Sequence, residues 1–174
     1  VSAACRELRP MVSSTKQGVM VHDPKALLEH WVREYTGSGG QEFGWYSIDS
    51  VVEQTVKAAE VASLLEAQPL ISGDVAADRL APWKLPARGR IYIDIPVDLA
   101  GDGFVAAPLD EATLITCTPL DPTLWRLTDL GASPGHDNVK LADPAIVYWD
   151  VHNSDDIDSL EAAHHLGAFI TGLL

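Results

Sequence analysis

Apolar residues recur at helical spacing in several stretches of the chain, and short β-prone runs lie between them. Behind Asp23-Pro24, an N-cap residue followed by proline at the first helical position, Leu27, Leu28, Trp31, Val32 and Tyr35 share one helix face, and Gly37 ends the run. A second helix is expected from a cap at Asp49 or Ser50 to about Glu66. Its apolar face is read as Ile48, Val51, Val52, Val56, Ala59 and Ala62, with Glu53 and Lys57 paired on the opposite face. A last helix runs from about Asp158 to the end of the chain, with Ala162, Leu166, Phe169, Ile170 and Leu173 aligned.

The stretch Leu70–Asp94 organises the middle of the chain. Leu70 and Ile71 read as a short strand, Ser72-Gly73 as a turn, and Asp74–Leu80 as a short helix that Ser72 or Asp74 caps and Pro82 stops. An elbow follows from Pro82-Trp83 to Pro86, where Trp83 is expected to pin the chain to the core. Ile91–Ile95 is the next strand. Such a strand–helix–strand unit needs covering elements, and the helices on either side supply them.

Around it, Phe43–Ser47, Phe104–Ala106 and Leu114–Thr118 read as strands. Trp125 and Leu127 look buried, and Gly131–Gly135 reads as a loop. Asp143-Pro144 repeats the helix-start signal. The Ala145–Val151 run is β-prone, but proline at a first helical turn favours helix over a central strand. At the other end, Ser2–Leu8 has helical character up to Pro10. Met11–Ser13 and Val19–His22 then form a hairpin across the polar connector Ser14–Gly18. A helix followed by a small hairpin is the back half of a winged helix, whose front half is expected upstream of Val1. Ser38-Gly39-Gly40 reads as a flexible hinge, which divides the chain into residues 1–37 and 38–174. The fold class is α/β (α+β): a winged-helix remnant followed by a mixed α/β domain.

Charge changes the picture more than composition does. At 174 residues, 47% of them hydrophobic, the chain fits one domain with at most a small appendage. No apolar run approaches the ~20 residues of a membrane span. There is no initiator Met and no signal-like segment, so the expectation is a fragment or processed chain of a cytoplasmic protein. Cys5 and Cys117, the two cysteines, are expected reduced and buried. The net charge is −13, unevenly spread. Residues 1–36 hold five basic residues (Arg6, Arg9, Lys16, Lys25, Arg33) against four acidic ones, whereas the remainder holds seven against 21. A polyanion therefore has only the N-terminal end to land on.

Chemistry is hard to place. Glu161-x-x-His164-His165 is half of a carboxylate-bridged metal site without its second half, on a face read as solvated. Gly131–Gly135 followed by Lys140 lacks the Gly-Lys-Ser/Thr ending of a phosphate loop. Gly37-Ser38 lacks the paired carboxylates a nucleotidyltransferase needs to hold magnesium, since Val51 follows Asp49 and Pro96 follows Asp94 two places on. His22, His30, His136 and His152 are scattered. No metal, cofactor or catalytic residue is assigned. Asp78-Arg79, Lys84 and Arg88 form a mixed-charge rim round the elbow, read first as a solvated surface with weak ion pairs and second as a recognition face. On a helix followed by a wing, Arg6 would reach base edges or phosphates and Lys16 would meet the backbone.

Taken in order, VSAACRELRPMV, GVMVHDPKALLEHWVREY, LISGDVAADRLAPWKLP, ADPAIVYWDV and LEAAHHL resemble AbiEi-type antitoxins, the transcription-regulator half of type IV toxin–antitoxin systems. The resemblance implies an N-terminal winged-helix DNA-binding domain and a C-terminal α/β antitoxin domain. It also implies repression of the protein's own operon and action against a nucleotidyltransferase toxin, without a stable complex. By the same resemblance Arg6 and Arg9 fall at the end of the recognition helix and Ser13, Ser14, Thr15, Lys16 and Gln17 on the wing. The resulting expectation is a non-enzymatic, cytoplasmic regulator with operator DNA as partner. The alternatives are a stand-alone protein-interaction domain, or an enzyme using Asp74, Asp78 and Arg79 on a small substrate at the elbow.

Overall fold

The computed structural model, which describes residues 8–126 and 140–172, is a mixed α/β structure with a six-stranded sheet at its centre. Its N-terminal part is a separate two-stranded sheet, β1 (Val12–Thr15) paired antiparallel with β2 (Gly18–Val21), followed by helix α1 (Pro24–Glu34). Then come β3 (Gln41–Tyr46), α2 (Val51–Leu64), β4 (Leu70–Ser72), α3 (Gly73–Leu80), β5 (Gly89–Tyr92), β6 (Val105–Ala107), β7 (Leu114–Thr118), β8 (Lys140–Leu141), α4 (Pro144–His152) and α5 (Ser159–Ile170). The expected helix over Ser2–Leu8, apart from Leu8 itself, lies outside the described residues. So do Cys5, Arg6, Leu127, the Gly131–Gly135 loop, His136 and Leu173.

The central sheet has the order β6-β3-β7-β5-β4-β8, parallel at β7–β5 and β4–β8 and antiparallel elsewhere. Its register sorts residues onto two faces, because residues directly opposite in a ladder share a face. Phe43, Trp45, Ile71, Ile91, Leu114 and Thr116 lie with Gly89 on one face. Helix α2 packs there, so closely that a Cβ on Gly89 would come within 2.1 Å of Thr55 Oγ1. Glu42, Gly44, Ser72, Arg90, Tyr92, Ile115 and Cys117 lie on the other face, which α4 covers with α5 stacked against it.

Both Asp-Pro signals act as read. Asp23 Oδ1 accepts from Ala26 N and Asp143 Oδ1 from Ala145 N, each at 2.9 Å. Ser50 and Glu53 form a reciprocal capping box at the start of α2, a device worth about 1 kcal/mol. That box draws Glu53 back to Ser50. Lys57 accordingly pairs with Asp49, at 3.7 Å, and not with Glu53. The buried face of α2 is also rotated from the expected one. Gln54, Thr55, Ala58, Ala59 and Ala62 are buried, while Ile48 is 93% exposed and Val52 lies on the surface. The two polar residues can be buried because each is bonded. Thr113 donates to Gln54 Oε1 at 2.8 Å, and Thr55 donates to the Val51 carbonyl.

Two expectations at the elbow are corrected. Neither Ser72 nor Asp74 caps α3. Ser72 sits at the N-cap position, but its hydroxyl is taken by a carboxylate from α4, and Asp74 accepts from Ala87 N at 3.0 Å and pairs with Lys84. Trp83 does not enter the core. It is 56% exposed, with its ring against His165 on α5, because the space beneath the elbow is filled by Lys84 and Asp74.

Ser38–Gly40 is packed between α1 and the sheet. The Ser38 carbonyl accepts from Leu120 N and Asp121 N. Gly40, at φ +102°, lies so near the Thr118 carbonyl that a Cβ would sit 2.0 Å from its oxygen. Trp31 of α1 and Tyr35, the residue at its C-cap, pack against the core cluster, and Trp149 Nε1 donates to the Tyr35 carbonyl at 3.0 Å.

Candidate functional site

Two parts of the molecule display chemistry: the β1–β2 hairpin and the face of the sheet beneath α4. In the hairpin, Thr15 opposes Gly18 and the loop is Lys16-Gln17. Gly18 has φ +142°, a conformation that suits glycine at a hairpin end. Thr15 Oγ1 donates to the Gly18 carbonyl and accepts from Gln17 N, which fixes the tip. Ser13 Oγ lies 2.7 Å from His22 Nε2, linking the two strands at the base. Ser14, Lys16 and Arg9 are exposed, and Arg9 sits in the turn leading into β1. All of β2 faces solvent, with Val19 72% exposed. Of the residues expected to meet DNA, Arg9, Ser13, Ser14, Thr15 and Lys16 therefore lie together on this hairpin and its lead-in, and Arg6 lies outside the described residues.

Beneath α4, four elements bring a buried polar network together. Asp150, on the sheet-facing side of α4, is almost wholly buried. Ser72 Oγ donates to its Oδ2 at 2.5 Å, and Tyr92 OH lies 2.8 and 3.0 Å from its two oxygens. Arg90 Nε is 3.4 Å from Oδ1, and the far end of Arg90 reaches Glu42 Oε1 on β3 at 2.5 Å. Strand alternation explains the meeting: Ser72, Arg90, Tyr92 and Glu42 all fall on the face that α4 covers.

Burial raises the Asp150 carboxyl above its ordinary range against the opposing pull of Arg90, Ser72 and Tyr92. Burial likewise pushes the Tyr92 phenol up, and the neighbouring Asp150 charge adds to it. For Arg90, burial would weaken the charge, but Asp150, Tyr92 and Glu42 hold it firmly protonated. Both Asp150 oxygens are met by donors, so the carboxylate is a structural keystone more than a free base or ligand. Tyr35, from the linker segment, is pushed up to about 12 by burial and by Asp121 and Asp150. Cys117, on the same face, is a free buried thiol raised by burial.

A half-open groove of about 820 Å³ runs over this network, lined among others by Arg88, Arg90, Asp110, Asp150, Asp155 and Asp156. At its rim Lys84 bonds Asp156 and lies 3.2 Å from Asp74, with only 14% of its side chain exposed. The rim is thus partly an inward-turned ion-pair triad, not the wholly solvated surface expected. Glu161 and His164 are exposed as expected, whereas His165 packs on Trp83. Among the described residues, no group of three or more His, Cys, Asp or Glu side chains is placed to hold a metal ion, and no helix is long and apolar enough to cross a membrane.

Sequence reasoning did not single out Asp150, Arg90, Tyr92 or Glu42. Two signals were available: Asp150 is the lone charge within an otherwise apolar helix, and Arg90 interrupts the apolar alternation of β5.

No curated protein and no solved structure matches the chain. A family model does match, over residues 20–168: that of the transcriptional regulator AbiEi antitoxin, type IV TA system. This protein belongs to the AbiEi antitoxin family, the transcriptional regulators of type IV toxin–antitoxin systems.

Proposed function

We propose that the protein represses its own operon by binding operator DNA through residues 1–37, and that residues 38–174 counteract a nucleotidyltransferase toxin without forming a stable complex with it. In this reading residues 1–37 are the end of a winged-helix module and its linker helix. Arg6 and Arg9 act from the recognition-helix end, and Ser13, Ser14, Thr15 and Lys16 form the wing. The observation that carries the reading is the exposed hairpin, its basic tip held apart from an acidic body, in a chain that belongs to a family of regulators. Arg9 and Lys16 would neutralise phosphates, and the Ser and Thr groups would fix register along the backbone.

The protein works without catalysis in this proposal. The buried Asp150 carboxylate has its oxygens occupied by Ser72, Tyr92 and Arg90. Its setting is the cytoplasm, where the operator lies. The test uses the full-length gene product. It should retard its own promoter fragment in a salt-sensitive manner, silence a reporter driven by that promoter, and restore growth to cells expressing the nucleotidyltransferase encoded beside it. Absence of salt-sensitive promoter binding would remove the regulator half, and failure to restore growth would remove the antitoxin half.

A further inference from the structure

We propose that Trp149, on α4 of the acidic body, is a positioning residue for operator binding: it holds the linker after α1, so that the hairpin is presented to DNA in one orientation. The proposal rests on the reading that the hairpin meets DNA. Between α1 and β3, Tyr35, Gly37 and Ser38 are each held by the body. The Tyr35 carbonyl accepts from Trp149 Nε1 at 3.0 Å, and the two rings meet edge-on with centroids 5.5 Å apart. Trp31, one turn earlier in α1, stacks on Tyr35 at 4.7 Å. Gly37, at φ +92°, lies so close to the indole that a Cβ there would come within 2.6 Å of its Cη2. Ser38 is buried, and its carbonyl accepts from Leu120 N and Asp121 N.

The other end of α1 leaves little slack. Only His22 and Asp23 separate β2 from α1. Their backbone N–H groups donate to the Met11 carbonyl at the hairpin base, at 2.7 and 3.4 Å, while the Asp23 carboxylate caps α1 through Ala26 N. A path of bonds thus runs from the hairpin to α1, from Tyr35 to Trp149, and from the adjacent Asp150 through Ser72 and Tyr92 to the sheet. The Trp149 indole meets the linker and the next carboxylate meets the sheet, so one turn of α4 ties the two parts together. Fixed geometry helps binding in two ways. Order present before binding is not lost on binding. Residues 37–174 also carry 21 acidic side chains against seven basic ones, and a body free to swing would bring those acids against the phosphates that the hairpin meets.

The test applies promoter retardation and ¹⁵N relaxation to the full-length protein. In the parent, the amides of β1 and β2 and those of the central sheet should tumble as one unit. Trp149→Phe keeps an aromatic ring but removes the Nε1 donor, and Gly37→Ala opposes the same contact from the linker side. Each should let the hairpin tumble faster than the sheet. Each should weaken promoter binding about tenfold, the entropy of re-ordering about one backbone residue. The slope of log affinity against log salt should stay as in the parent, because Arg9 and Lys16 still meet the phosphates. Trp125→Phe is the control: it removes a bond of the same kind within the body, from Trp125 Nε1 to the Gln68 carbonyl at 2.9 Å, and should change neither readout. The proposal is overturned if the parent hairpin already tumbles independently, if either folded variant binds the promoter as the parent does, if the salt slope falls, or if Trp125→Phe weakens binding as much. A parent that tumbles as one unit yet does not retard the promoter removes the DNA reading, and the role of Trp149 in operator binding with it.

Discussion

Ser72 donates its hydroxyl hydrogen to Asp150 Oδ2 at 2.5 Å, joining the end of β4 to α4 across 78 positions of chain. With Tyr92 and Arg90 on the neighbouring strand, this bond fixes how α4 lies on the sheet. Asp150→Ala leaves Arg90, Tyr92 and Ser72 without their acceptor and should cost about 3–5 kcal/mol. Ser72→Ala removes one donor and should cost about 1–3 kcal/mol. Urea denaturation measures both. Equal midpoints for Asp150→Ala and the exposed-site control Asp102→Ala would show that the network contributes nothing.

The Lys84–Asp156 pair should shape stability at both ends of the pH scale. The hydrogen bond from Lys84 holds Asp156 below its ordinary 3.8, so the folded state keeps the anion more readily than the unfolded chain does. That contribution is complete above the unfolded value and is lost as the pH falls through the folded one. Burial works against the charge on Lys84, but the bonds and fields of Asp156 and Asp74 raise it above its ordinary 10.5. Its contribution is complete below that value and is lost as the pH rises through the folded one. Asp156 is partly exposed, so Asp156→Asn should cost only about 0.5–1 kcal/mol at neutral pH. The gap between variant and parent should close at low pH. A gap that stayed constant down to pH values well below 3.8 would mean that Asp156 does not act through its charge.

Gly40 should be among the least replaceable residues. Its φ of +102° and the 2.0 Å approach of a Cβ to the Thr118 carbonyl oxygen both oppose any side chain. Gly40→Ala should lower stability by more than about 2 kcal/mol. Gly101, with nothing within 4 Å of a built Cβ, should tolerate alanine to within about 0.5 kcal/mol. Thermal melts of the two variants side by side decide the matter.

On the hairpin, Arg9→Ala and Lys16→Ala should each weaken promoter binding of the full-length protein uniformly across sequences. Each should reduce the slope of log affinity against log salt by about one. Both residues are exposed, so the melting temperature should barely move. An unchanged slope in the double variant would place the DNA contacts elsewhere.

The helices were largely legible because their signals are local. Asp143 with Pro144 starts α4 as strongly as Asp23 with Pro24 starts α1, despite the β-prone run that follows. A capping bond spans two or three residues, and its geometry needs nothing from the rest of the fold. The β7 limits, Leu114–Thr118, could be read from an unbroken β-prone run. By contrast, the buried face of α2 was misjudged. Val52 and Ile48 suit a core by composition, whereas Gln54 and Thr55 are buried only because Thr113 and the helix backbone satisfy them. Trp83 was misplaced for the converse reason. The space expected for it is filled by Lys84 and Asp74, an ion pair that no spacing rule announces.

What the sequence determined by itself is the order of elements, the α/β class, the split between a mildly basic start and an acidic body, and the run of motifs that resembles a family. Each is encoded in neighbours along the chain or in summed charge. Tertiary structure alone decided that Ser72, Arg90, Tyr92 and Asp150 share one network beneath α4, with Glu42 at its exposed end. The reason is that a buried charge is tolerated only where partners from distant segments converge on it. That convergence is set by strand order and register, which bring together residues as far apart in the chain as Glu42 and Asp150.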